Sequence, residues 1–226
     1  MKKIFRFFKK VFFFLLISHL VYILMCRWID PPVTVTQMVS LFSGHGLKRD
    51  YVGFDQMGSE IKLAVMAGED QLFPDHNGFD IKSIKKAIKY NEKHPNRIRG
   101  ASTISQQTAK NVFLWQGGGY FRKGLEVYFT FMIETFWNKE RILETYCNVA
   151  EMGKGIFGVQ AAARAYFNKD AKDLTRSEAA QIAACLPNPK KFTVKPLSRY
   201  VAARSRFLIR QMNNLEGDSD IRELLK

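Results

Sequence analysis

A mainly α-helical domain behind one membrane-spanning helix is the fold this sequence predicts, and three observations carry that prediction. The first is the run VFFFLLISHLVYILMC from Val11 to Cys26, which holds no Asp, Glu, Lys or Arg. The second is helical spacing of apolar residues, clearest where Leu125, Phe129, Met132 and Phe136 form an i, i+4, i+7, i+11 stripe. The third is the punctuation of such stretches by capping residues, glycines and prolines, with little of the alternation that marks a strand.

The Val11–Cys26 run is slightly short of the ~20 residues a bilayer requires. Ile4, Phe5, Phe7 and Phe8 before it and Trp28 and Ile29 after it lengthen the apolar band. Lys2, Lys3, Arg6, Lys9 and Lys10 precede it and place the N-terminus in the cytoplasm, with everything after Arg27 outside. A cleaved signal peptide needs small residues at its cleavage site, and Tyr22–Trp28 supplies none. Cys26 faintly resembles a lipoprotein box, but Met25 stands where a small residue belongs. The reading is an uncleaved signal anchor. Residues 1–10 are its cytoplasmic basic segment, 11–29 the span, 30–58 a membrane-proximal linker or jaw, and 59–226 the catalytic domain.

The chain has 226 residues and a formal charge of +14. Much of that charge lies in the basic flank of the anchor, yet the remainder is still clearly basic. Such a domain could meet nucleic acid, anionic lipid or a phosphorylated substrate. The anchor favours the last two and argues against a nucleic-acid partner. Cys26, Cys147 and Cys185 are odd in number and far apart, so they outline neither a disulfide framework nor a metal pattern. His19, His45, His76 and His94 are equally scattered.

Taken in order, Asp30-Pro31-Pro32 ends the anchor helix. Val33–Gly58 reads as irregular, with one short strand, and its Leu41, Phe42, Tyr51, Val52 and Phe54 either pack on the domain or enter the membrane surface. Ser59 is expected to cap a helix reaching Gly68, with Glu60 in its first turn. Asp80 caps another, whose Ile81, Ile84, Ala87 and Ile88 share a face. Tyr90–Gly100 is a polar loop and candidate flap. Ser102 or Thr103 starts a helix ending near Leu114, and Gly117-Gly118-Gly119 breaks the chain before a helix over Phe121–Asn138. Further helices are expected at Lys139–Val149, Val159–Phe167, Arg176–Cys185 and Ser198–Leu215.

Chemistry concentrates between Glu69 and Glu126. Glu69 closes the apolar stretch Leu63–Ala67, where partial desolvation raises a carboxylate toward the range of a general base. Read blandly, it is a surface acid at a helix end. Asp70 and His76 are positioned to hydrogen-bond and hold the following loop. Gln106, Gln107 and Lys110 form one polar patch at helical spacing, suited to sugar hydroxyls and phosphate or simply to water. Arg122 and Glu126 are i, i+4 neighbours, so an intrahelical ion pair explains both unless Glu126 faces a cleft with Lys123. Ser59/Lys62 and Ser83/Lys86 make S-x-x-K pairs, but no K-T-G follows, so they are chance matches.

Together, EDQLFPDHNGFD (Glu69–Asp80), GASTISQQTAKN (Gly100–Asn111), RKGLEVYFTFMIE (Arg122–Glu134), KERILETYCNVAEMG (Lys139–Gly153) and the block from Gly158 to Ala183 resemble, in order, the motifs of the peptidoglycan glycosyltransferases. These are lysozyme-like domains found alone or fused to transpeptidases. The chain's end at Lys226 after an anchor resembles the monofunctional, Gram-negative type. The resemblance implies a lysozyme-like glycosyltransferase fold in the inner membrane that polymerises lipid II onto a growing glycan strand and releases undecaprenyl pyrophosphate. It implies Glu69 as the general base and Glu126 as the second essential carboxylate. Asp70, Ser102, Thr103, Gln106, Gln107, Lys110, Asn111, Arg122 and Lys123 would bind substrate. It further implies a divalent metal, Mg or Mn, with Glu126 its candidate ligand, and no organic cofactor. Cell-division or other cell-wall synthesis proteins would be partners. Gly118 stands where many members carry Arg, and Cys147 where Leu is usual. The competing readings are a lysozyme-like hydrolase and a non-catalytic cell-wall scaffold.

Overall fold

The computed structural model describes residues 2–96 and 99–226. Its helices are α1 (Lys2–Met25), α2 (Val35–Phe42), α3 (Ser59–Glu69), α4 (Ile81–Lys93), α5 (Ile104–Phe113), α6 (Tyr120–Phe136), α7 (Lys139–Val149), α8 (Val159–Phe167), α9 (Arg176–Cys185), α10 (Arg199–Leu215) and α11 (Ser219–Leu225). Three very short strands, β1 (Lys48–Arg49), β2 (Glu151–Gly153) and β3 (Ile156–Phe157), form a sheet in the order β1-β3-β2. The β2–β3 pair is antiparallel, and β1 runs parallel to β3 with Lys48 opposite Ile156.

α3 is the axis of the domain. Every residue from Ile61 to Ala67 is buried. A helix apolar on all sides must be surrounded, and α7, α9, α10 and α11 all pack against this one. Gly68 is where α10 lies closest: a Cβ there would sit 3.6 Å from the Leu208 side chain. α5 lies between α6 and α7 on the other side of the site. Glu69 therefore ends a core helix, which explains its partial burial.

Several local expectations need correction. Ser59 is the first residue of α3 and not its cap; Gly58 takes that place at φ +76°, where a Cβ would be 2.8 Å from the Lys172 backbone. The linker holds an unexpected helix, since Thr34 and Gln37 form a capping box that starts α2, as well as the one short strand expected there, β1. Its apolar residues divide, with Val52 and Phe54 packing on the core while Leu41 and Phe42 stay exposed. The expected apolar face of α4 is unpartnered, since no residue of that helix is buried. α4 also runs to Lys93, so the candidate flap is shorter than Tyr90–Gly100, and its Arg97 and Ile98 lie outside the described residues. α11, capped by Asp218, was not anticipated.

α1 is the one helix among the described residues that is long and apolar enough to cross a bilayer. Its C-terminal turns are docked on the domain. Trp137 Nε1 donates to the Ile23 carbonyl at 2.9 Å, Arg141 Nε donates to that of Cys26 at 3.0 Å, and the Tyr22 ring meets Phe113 edge-on. Arg141 also pairs with Asp30 at 2.9 Å as the chain leaves the helix. The domain thus holds the end of α1 through α6, α7 and the end of α5.

Candidate active site

The site is built from the C-terminus of α3, one face of α5 and the first two turns of α6. At α3, Gln107 Nε2 donates to Glu69 Oε2 at 2.7 Å, and the Tyr146 hydroxyl donates to Gln107 Oε1 at 3.4 Å. That chain fixes which way the Gln107 amide points. Burial, the largest influence, holds Glu69 above the ordinary carboxylate range. The Gln107 hydrogen bond and the positive charges of Arg204 and Lys110 pull it back, while Asp70 adds to the rise.

Asp70 turns away from that cluster. It is buried, and its Oδ2 accepts from the Ile104 backbone N–H at 2.9 Å while its Oδ1 takes His76 Nε2 at 3.0 Å. His76 Nδ1 accepts from the Gly78 N–H at 3.2 Å, so the other ring nitrogen carries the proton. Gly78 has φ +84° and a Cβ there would strike Thr130 at 2.7 Å, so only glycine brings the loop this close to α6. Thr103 Oγ1 closes the belt by donating to the Gly78 carbonyl at 2.7 Å. Asp70→Ala is expected to strip the α5 N-terminus of a partner and cost about 1–3 kcal/mol, read by denaturant unfolding.

On α5, Thr103 is the N-cap and Gln106 completes its capping box. The Gln106 carbonyl oxygen is therefore engaged by the Thr103 N–H. Asp70, Thr103 and Gln106 were expected to touch substrate, but the structure uses their oxygens to shape the site from behind. Asn111 is similarly buried and accepts from Gln116. Gln107 and Lys110 stay partly accessible on the face toward Glu69, and exposed Ser102 lies 3.5 Å from Lys123 Nζ.

On α6, Glu126 is only 3% exposed, which settles its orientation: it faces inward. Its Oε2 pairs with Arg122 Nη1 at 2.7 Å and its Oε1 with Lys123 Nζ. The intrahelical pair and the cleft-facing carboxylate are both present. Lys110 joins the two halves. Its ammonium is held below the usual lysine range chiefly by burial; Glu126 and, more weakly, Glu69 support its charge, and Arg122 and Lys123 oppose it. Lys110 on α5 is thus acted on by Glu69 at the end of α3 and by Arg122, Lys123 and Glu126 on α6. Gly118, at φ +93°, abuts Arg122, whose Nε is buried without a partner among the described residues.

Residues 35–213 match the family model described as transglycosylase. The chain belongs to the transglycosylase family. It is 50% identical over 213 residues to the biosynthetic peptidoglycan transglycosylase of Pseudomonas putida (strain GB-1), covering 92% of this chain and 90% of that one. It is 57% identical over 169 residues to the proteins of that name from Shigella boydii serotype 4 and Escherichia coli (strain ATCC 8739), covering 75% of this chain and 70% of theirs. The transglycosylase is a mainly α, lysozyme-like glycosyltransferase acting in peptidoglycan synthesis.

For the expected divalent ion the transglycosylase supplies a single candidate carboxylate, Glu126. Both oxygens of Glu126 already hold cations, and no three His, Cys, Asp or Glu side chains cluster among the described residues. Mg is commonly held by one or two carboxylates together with substrate phosphates, so Glu126 is the one protein ligand this site would offer it. Two contributors escaped the sequence reading. Tyr146 lies within a quoted motif but gives no sign of reaching Gln107. Arg204, whose Nη2 donates to the Gly68 carbonyl at 3.1 Å, looks like one more surface arginine of a basic helix.

Proposed function

We infer that the site polymerises lipid II into β-1,4-linked glycan. Glu69 takes the proton of the acceptor's 4-hydroxyl. That oxygen forms a bond to the anomeric carbon of the donor from the face opposite the diphosphate, so the configuration inverts. The anomeric C–O bond breaks with its electron pair going to undecaprenyl pyrophosphate. Charge therefore moves from the base side of the cleft to the leaving-group side, and Lys110, Arg122 and Lys123 stand where it arrives. Glu126 holds Arg122 and Lys123 in place without contributing a proton. Ser102 and Gln107 are left accessible for sugar or phosphate oxygens.

The observation that supports this most is Lys110, partly buried between two carboxylates and flanked by two further cations. A diphosphate entering there would favour the charged form of Lys110, which burial disfavours. Glycan hydrolysis requires no such anion site. Lys110→Ala is expected to raise the donor concentration needed for half-maximal initial rate about tenfold or more, in line with loss of one charge-assisted contact. An unchanged donor dependence removes Lys110 from the diphosphate site. The basic flank of α1 supports an N-terminus in the cytoplasm and a domain in the periplasm, with the substrates presented at the outer face of the inner membrane.

A further inference from the structure

We propose that Arg204 is the positioning residue that keeps Glu69 a carboxylate while an anionic diphosphate occupies the cleft. The inference rests on the reading of Glu69 as the base. It begins from a conflict within the site. Glu69 must be ionised to take a proton, yet burial favours its neutral form, and the substrate brings further negative charge.

The groups that face Glu69 are Gln107 and Lys110 from α5, Tyr146 from α7, Cys185 from α9, Arg204 from α10 and the adjoining Asp70. Among the described residues, the cations in that group are Lys110 and Arg204. Lys110 belongs to the substrate side, within the field of Arg122, Lys123 and Glu126. Once a diphosphate binds there, its negative charge offsets what Lys110 offers Glu69. Arg204 stands apart from that set. Its Nη2 is fixed on the carbonyl of Gly68, the residue before the base, at 3.1 Å, and α10 meets α3 at that same glycine. The charge of Arg204 therefore persists in the loaded enzyme.

Stability alone does not select this placement. Arg204 Nε is buried with no partner among the described residues, and an unpaired buried donor is destabilising. The guanidinium is held beside the base in spite of that cost. Its bond to Gly68 also fixes the last turn of α3, and so the direction in which Glu69 leaves it.

The test is the pH dependence of strand synthesis by the full chain in proteoliposomes with lipid II, for wild type, Arg204→Met, Arg204→Lys and Glu69→Gln. The acid limb of kcat reports the loaded enzyme and that of kcat/KM the free one. In Arg204→Met the kcat limb is expected to move to higher pH, so that the ratio of kcat at pH 8 to kcat at pH 6 rises severalfold. The kcat/KM limb moves less, because Lys110 still serves the free enzyme. Arg204→Lys, which keeps the charge, stays near wild type in both. If Arg204→Met melts below the assay temperature, Arg204→Gln, whose amide can still reach the Gly68 carbonyl, is read in its place. A kcat limb that coincides with wild type in the neutral variant overturns the role of Arg204, as does an equal shift in Arg204→Lys. Strand synthesis surviving in Glu69→Gln overturns the base itself, a separate result.

Discussion

Glu69→Gln is expected to abolish strand synthesis from lipid II while the fold persists. The amide is nearly isosteric and can still accept from Gln107, but it cannot take the 4-hydroxyl proton. Loss of a general base costs about 10²–10⁴-fold in rate. The same substitution separates chemistry from stability. Burial holds the Glu69 carboxyl above its ordinary range in the fold. Such a group favours the folded state most below its unfolded value, and that contribution is lost as pH rises through the folded value. Near neutral pH the ionised side chain therefore works against the fold. Glu69→Gln should melt at or above wild type at pH 7, with the difference shrinking at pH 4. Wild-type rates in this variant would remove Glu69 as the base, and a large drop in melting temperature would mark a structural role instead.

Glu126→Gln carries the second large effect, with the opposite signature. Glu126 is 3% exposed and holds two cations at once. Removing one partner of a buried pair leaves the other's charge uncompensated, a loss of about 3–5 kcal/mol for fully buried pairs. Arg122 is well buried, but the Lys123 side chain is 44% exposed and screened by water, so the lower end applies. Stability and activity should fall together, because the cations that receive the diphosphate lose their fixed geometry. Denaturant unfolding beside initial rates reads both. A fully stable Glu126→Gln without activity would instead assign the carboxylate a direct part in the chemistry.

What could be read in the sequence was local. α5 and α9 begin at capping boxes, Thr103 with Gln106 and Thr175 with Glu178, whose spacing is visible in the chain. The helices at Lys139–Val149, Val159–Phe167 and Arg176–Cys185 have the expected bounds, the first capped by the Asn138 side chain, the second starting after Gly158 and the third at its capping box. α2 has a capping box too, but its eight residues sit among prolines and glycines that read as a break. α11 is shorter still. One short strand was expected in Val33–Gly58, where β1 lies, but β2 and β3 escaped because two or three residues cannot show alternation, and the β1–β3 pairing joins segments more than a hundred residues apart.

The same divide runs through the site. Glu69, Lys110, Arg122, Lys123 and Glu126 were recognisable as types at helical spacing. Their convergence was not, since 57 residues separate the carboxylates and only the packing of α3, α5 and α6 brings them into one cleft. Thr103 and Gln106 have a second role that their residue types do not announce: oxygens that suit a sugar also form the helix cap. Arg204 was invisible because the basic residues Arg199, Arg206 and Arg210 on the same helix make it unremarkable. Its neighbour Gly68 lies 136 residues away in sequence.

The central claim is that this cleft builds glycan instead of cutting it. Incubating the purified full chain with lipid II and resolving the products by size tests that most directly. The predicted result is strands longer than one disaccharide, with undecaprenyl pyrophosphate released in step with their growth. Unconsumed lipid II, together with shortening of added preformed strands, would contradict it.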